Sequence, residues 1–156
     1  IDKLMSYCAG QAITTADVRL LVSHSREENI FALADAILEG RASEAQRSFA
    51  RIVQDGTAPQ AVLAMVARQL RLTIQAKAIG TKTPLPEMAR KLGVEQWKAR
   101  KPLDMAKRFT LDRLKLVHGK LLDADLAMKT SRYHPDDLAM VCLIGEMDTG
   151  KAVDKA

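Results

Sequence analysis

Between Pro59 and Gly80, apolar residues recur at every fourth position: Val62, Val66, Leu70 and Ile74, with Leu63 and Ala67 widening the stripe. A run of this length far exceeds a strand, which usually spans about 3–10 residues. On a helix of about 3.6 residues per turn, the same spacing gathers the apolar side chains on one side. Proline is tolerated in a first helical turn and glycine commonly closes a last one, so the segment predicts a long helix over 59–79.

The same spacing runs through nearly the whole chain. It predicts a short helix over 1–9, closed by Gly10, and a second one capped by Thr14 or Thr15 with Val18, Leu21 and Val22 inward. The stretch 23–28 (SHSREE) reads as a polar linker, and the composition shift after it places a domain boundary near residue 25. Helices are then expected over 29–39, ended by Gly40, and from a cap at Ser43 to Asp55, ended by Gly56. A short helix over 87–92 stops at Gly93, a further segment over 94–101 is bounded by Pro102, and a separate helix passes through 103–107. Thr110 starts a helix reaching residue 130, striped by Leu111, Leu114, Val117, Leu121 and Leu122. Pro135 opens the last one, with Asp136 and Asp137 at the positive end of its dipole and Leu138, Val141, Cys142 and Ile144 on its apolar side. Residues 151–156 read as a frayed tail. No alternating run of strand length occurs, and aromatic residues make up only 4% of the chain. The expected fold class is therefore all-α.

A chain of 156 residues suits one domain with a fragment of a neighbour, long enough to bury a core without metal or disulfides. It opens at Ile1 inside a helical pattern, so it is expected to be cut from a longer chain. No apolar run reaches the ~18 residues of a membrane span. Cys8 and Cys142 lie in apolar helical settings and read as reduced core residues, which fits the cytoplasm.

The catalytic inventory is thin. The chain has no GxxxxGK[ST] phosphate loop, no HExxH, no CxxC and no GxSxG. His24, His118 and His134 share no ligand spacing. His118 reads as a half-buried, hydrogen-bonded histidine and His134 as a cap or turn residue. The methionines Met65, Met88, Met105, Met128, Met140 and Met147 fall at helical core positions and read as gap-fillers. No catalytic residue, metal or cofactor is expected. Asp125 points toward the packed side of its helix, with Lys129 four residues on, in the favourable acid-first order. The two form either a structural ion pair or a contact between subunits.

Charge is more informative. The chain carries +5 overall, but residues 90–120 hold ten basic against three acidic residues, a net of +7. The sole tryptophan, Trp97, lies within that stretch beside Lys98, Arg100 and Lys101, and Arg132 with Tyr133 precedes the last helix. Cations follow phosphates and aromatic faces stack on bases, so these two groups are candidate contacts for single-stranded or primed DNA. The competing reading is a half-buried Trp97 among solvated lysines. Residues 87–101 also carry a helix-turn-helix-like pattern around Gly93, the basis of an alternative reading as a helical DNA-binding regulator.

Five segments carry a family resemblance: ITTADVRLLVS, NIFALADAILEGRASEA, DGTAPQAVLAMVARQLRLTIQAK, PEMARKLGVEQWKARK and LLDADLAMKTSRYHPDDLAM. In this order and spacing they resemble the C-terminal part of bacterial DNA polymerase III delta subunits. The resemblance implies an AAA+-related protein whose helical collar domain closes a pentameric ring with delta prime and gamma or tau. That ring loads the sliding clamp onto primed DNA. Residues 1–24 would be the end of the helical lid and 25–150 the collar. The clamp-opening element of the family lies in an N-terminal domain that this sequence does not contain, so the part seen here would assemble rather than open clamps. The resemblance also implies an accessory, non-catalytic subunit.

Overall fold

A computed structural model of the chain describes the backbone over residues 15–130 and the side chains over 25–130. Among the described residues every regular element is a helix: α1 (Thr15–Leu38), α2 (Ala42–Gln54), α3 (Pro59–Ile79), α4 (Leu85–Leu92), α5 (Gln96–Arg108) and α6 (Leu111–Lys129). The helices expected over 1–9 and after Pro135 lie outside the described residues.

α3 is the axis of the fold, about 30 Å long at a rise of ~1.5 Å per residue. It packs against α6, α5, α1, α4 and α2. Its expected stripe is the buried one: Val62, Leu63, Val66 and Leu70 are inside, and Ala67 and Ile74 are half-buried against them. Among the described residues two apolar clusters form along this axis. The larger gathers Ile30, Leu33 and Ile37 of α1, Phe49 and Ile52 of α2, the first half of α3, and Leu114, Val117 and Leu121 of α6. The smaller joins Ala76 at the end of α3 to Met88 and Ala89 of α4 and to Ala99, Leu103 and Ala106 of α5. Met88, Met105 and Met128 are buried, as their positions in the sequence imply.

Helix ends follow local chemistry. After α1, Gly40 takes φ 70°, its N–H donates to the Ile37 carbonyl, and the Arg41 N–H donates to that of Ala36. Gly93 does the same after α4, at φ 66°. This left-handed closure satisfies carbonyls that the helix leaves unpaired and favours a residue without Cβ. The Thr110 hydroxyl accepts from the Arg113 N–H and starts α6.

Four sequence expectations change. Residues 23–28 are not a linker: α1 runs unbroken through them. Their polarity reflects position, since 25–29 are exposed or half-exposed, and Ile30 is the first buried position among the described side chains. No glycine or proline interrupts the stretch, so nothing in the backbone stops the helix. The two helices expected on either side of Pro102 are one, α5, with Pro102 inside it and buried. Flanking contacts from Ala99, Leu103 and Ala106 hold the helix across the hydrogen bond that proline cannot make. α2 starts at Ala42 with Arg41 at the cap position, so Ser43 sits inside the first turn. Leu122, expected in the stripe of α6, is 54% exposed, and Ala124 takes the inward position instead.

Candidate interaction surfaces

Two surfaces stand out on this frame, one basic and one apolar. On α5, helical spacing sets Trp97, Arg100, Lys101 and Asp104 along one stripe, opposite the buried Ala99, Leu103 and Ala106. Trp97 is 39% exposed, so part of its surface is open to solvent. The Lys98 ammonium sits 4.8 Å from the centre of that ring, within cation–π range. The same Nζ is 3.5 Å from Glu95 Oε2. Arg100 and Lys101 are exposed. Thus Trp97, Lys98, Arg100 and Lys101 do share one region. Arg132 and Tyr133 lie outside the described residues.

Not all of the +7 stretch faces outward for a ligand. Arg108 bonds both Asp35 carboxylate oxygens at 3.2 Å and also pairs with Glu39. Arg113 Nε donates to the Leu38 carbonyl at 3.1 Å. These two cations fasten α5 and α6 to the end of α1. Lys91 pairs with Glu87 at 2.8 Å, and its hydrogen bond and charge hold the Glu87 carboxyl below the usual carboxylate range. The excess of charge was legible in the sequence; its division between fastening and display was not, because the partners of Arg108 and Arg113 lie about 70 residues upstream.

The apolar surface is a groove of about 370 Å³ between α3 and α6. Leu63, Ala64, Ala67 and Leu121 give it an apolar floor, with Arg71, His118, Leu122, Asp125 and Lys129 around them. Lys129 Nζ lies 2.6 Å from Asp125 Oδ2, so the pair read from the sequence does form, within one helix. His118 is half-buried at the groove. On α6, Leu116, Leu122 and Leu126 are each half exposed or slightly more. Sequence reading missed Leu116 and Leu126. The signal was their angular offset from the arc of Leu114, Val117 and Leu121.

Among the described residues no group of three or more His, Cys, Asp or Glu side chains could hold a metal ion. No helix there is long and apolar enough to cross a membrane.

The geometry defines a class first: an all-helical module offering contact surfaces. The family is specific. Residues 27–146 match the DNA polymerase III delta subunit, C-terminal domain, and the chain belongs to that family. It is 28% identical over 134 residues to DNA polymerase III subunit delta of Bacillus subtilis strain 168, covering 85% of this chain and 39% of the relative. Among solved structures it is similar to the Bacillus subtilis DNA clamp loader delta protein YqeN. The TM-score is 0.71 at 26% identity, over 94% of this chain and 43% of that one. The chain thus spans about two fifths of the length of the relatives it matches.

Proposed function

We propose that this chain is the collar region of a bacterial clamp-loader delta subunit. In that role it is a non-catalytic, cytoplasmic assembly module that joins delta prime and gamma or tau in the ring that loads the sliding clamp. The observation that carries the reading is the match of residues 27–146 to the delta C-terminal domain, supported by the similarity in fold to a clamp loader delta protein. Exposed apolar side chains on α6, such as Leu116, supply the kind of surface that a subunit contact needs. Asp125 and Lys129, on the groove side of the same helix, are the charged candidates for a subunit contact, and residues 1–24 would be the end of the lid. Contact with the sliding clamp would belong to the N-terminal domain of the whole subunit. The experiment is co-purification of the chain with delta prime and gamma or tau from a reconstituted mixture. Stoichiometric incorporation is expected, with loss of incorporation in Leu116→Asp at unchanged helical content. A chain that elutes alone beside a complete ring of the other subunits would refute the assembly role.

A second reading concerns DNA. The exposed Trp97 with Lys98 stacked on it, beside Arg100 and Lys101, favours contact with a single strand or a primed junction. Arg132 and Tyr133 are further candidates from the sequence. A sequence-specific regulator is less well supported. The helix–turn–helix outline of α4, Gly93 and α5 exists, but it is part of a family domain of a replication protein.

A further inference from the structure

The Lys98 ammonium stands over a face of the Trp97 ring, 4.8 Å from its centre. The same nitrogen is 3.5 Å from Glu95 Oε2, about one helical turn back along the chain. Glu95 holds the N-cap position of α5, yet its side chain makes no capping hydrogen bond. A polar residue at that position ordinarily offers its oxygen to the backbone N–H groups of the first turn. This carboxylate is offered to Lys98 instead. An aromatic side chain stacks on a base through its face, and on that face the ammonium is already in place. A base that stacks there must displace it. We propose that Glu95, Lys98 and Trp97 form an exchange site for single-stranded nucleic acid. Glu95 holds the Lys98 ammonium over the ring, and an incoming strand draws it off to a phosphate while a base takes its place on the indole.

The inference rests on the DNA reading and adds to it a class of ligand and a positioning residue, Glu95. A single strand brings both parts of the exchange within one nucleotide, an open base face and a phosphate. Inside a duplex the base faces are stacked on one another and cannot replace the cation. The contact that must break is weak. The Glu95 side chain is 66% exposed and that of Lys98 34%, and an ion pair so open to water contributes little. A phosphate binds the same ammonium through charge-assisted hydrogen bonds, which are among the stronger ones. Arg100 and Lys101, exposed on the same helix, are placed to hold neighbouring phosphates. With no strand bound, the lysine stem and ammonium cover part of the indole.

Trp97 is the sole tryptophan of the chain, so its fluorescence reports on this site alone. The full chain is titrated with an oligothymidylate of about 12 nucleotides, within the usual site size for single strands. The variants are Glu95→Gln, Lys98→Met, the double variant, and Asp104→Asn, which removes the same charge from α5 about 13 Å further along the helix. Thermal midpoints measured on each confirm that folded chains are compared. Glu95→Gln is expected to tighten binding about two- to fivefold, the scale of an exposed ion pair, and more than Asp104→Asn does. The gain is expected to vanish in the Lys98→Met background, because Glu95 acts through Lys98. Lys98→Met is expected to change the fluorescence of the free chain and to reduce the slope of log affinity against log salt by about 0.7, one phosphate contact on a single strand. A Glu95→Gln gain no larger than that of Asp104→Asn, or one that survives in the double variant, makes Glu95 a distant charge and overturns the exchange while leaving the DNA reading in place. No binding by the unaltered chain, or binding that Trp97→Ala leaves untouched, overturns the DNA reading and this inference with it.

Discussion

Trp97 and Lys77 show how much single side chains decide in a molecule with few aromatics. Trp97 is exposed beside a stacked lysine, and stacking on an aromatic ring contributes roughly 1–3 kcal/mol per base with little regard to sequence. Trp97→Ala is therefore expected to weaken single-strand or junction binding several-fold or more while leaving the melting temperature nearly unchanged. Lys101→Ala is expected instead to flatten the salt dependence, because a phosphate contact releases counterions. Binding and stability measured on the same variants decide the matter. Loss of DNA affinity that only tracks unfolding would remove these residues from the site. Lys77 acts inside the fold. Its ammonium donates to the carbonyls of Ala106 at 2.7 Å and Phe109 at 2.9 Å, closing the C-terminal end of α5 where the helix dipole is negative. Hydrogen bonds from a charged donor contribute about 1.5–3 kcal/mol each, less where water competes. Lys77→Met, which keeps the apolar stem, is expected to cost about 1–3 kcal/mol in a urea melt. A change below ~0.5 kcal/mol, the scale of surface substitutions, would mean that water serves those carbonyls equally well.

At the scale of elements, α3 and α6 were readable because their stripes are long, and because Pro59 and Thr110 mark their starts. α1 and α5 were misread for opposite reasons. In α1 a polar stretch, SHSREE, imitated a linker, although the helix is continuous there and its described residues from 25 to 29 are simply exposed or half-exposed. In α5 a proline imitated a boundary, although packing from α3 and α4 keeps the helix together across it. The correction to α1 has a direct test. Amides 26–29 are expected to exchange with solvent markedly more slowly than those of the loop between α3 and α4, since the helical ladder protects them. Exchange at loop rates would restore the linker. The groove was the least legible feature, since it arises where Ala64 and Ala67 of α3 face Leu121 of α6, residues more than fifty positions apart. A single sequence carries no signal for that meeting beyond the small size of the two alanines.

Among the described residues, one helix, α3, threads two cores of unequal quality. The larger is built from Ile, Leu, Val and Phe of four helices, whereas four of the six buried members of the smaller are alanines. Apolar burial stabilises by roughly 25 cal/mol per Å², so a core made largely of methyl groups contributes much less than one made of isoleucine and leucine. The two halves should therefore open at different free energies although they share α3. The candidate DNA surface rides on the weaker half, and that half is tied to the stronger one by the Arg108 bridges to Asp35 and Glu39 and by Met105, the α5 side chain buried in the larger cluster. Native-state hydrogen exchange across a denaturant series tests this. The amides of α4 and α5 are expected to form a group that opens below the global unfolding free energy, while those of α6 and the first half of α3 follow global unfolding. Arg108→Ala should lower the opening free energy of the α4–α5 group and leave the α3–α6 group nearly where it was. If both groups merge into a single transition in the unaltered chain, the two clusters act as one core, and the surface carrying Trp97 is as rigid as the rest of the domain.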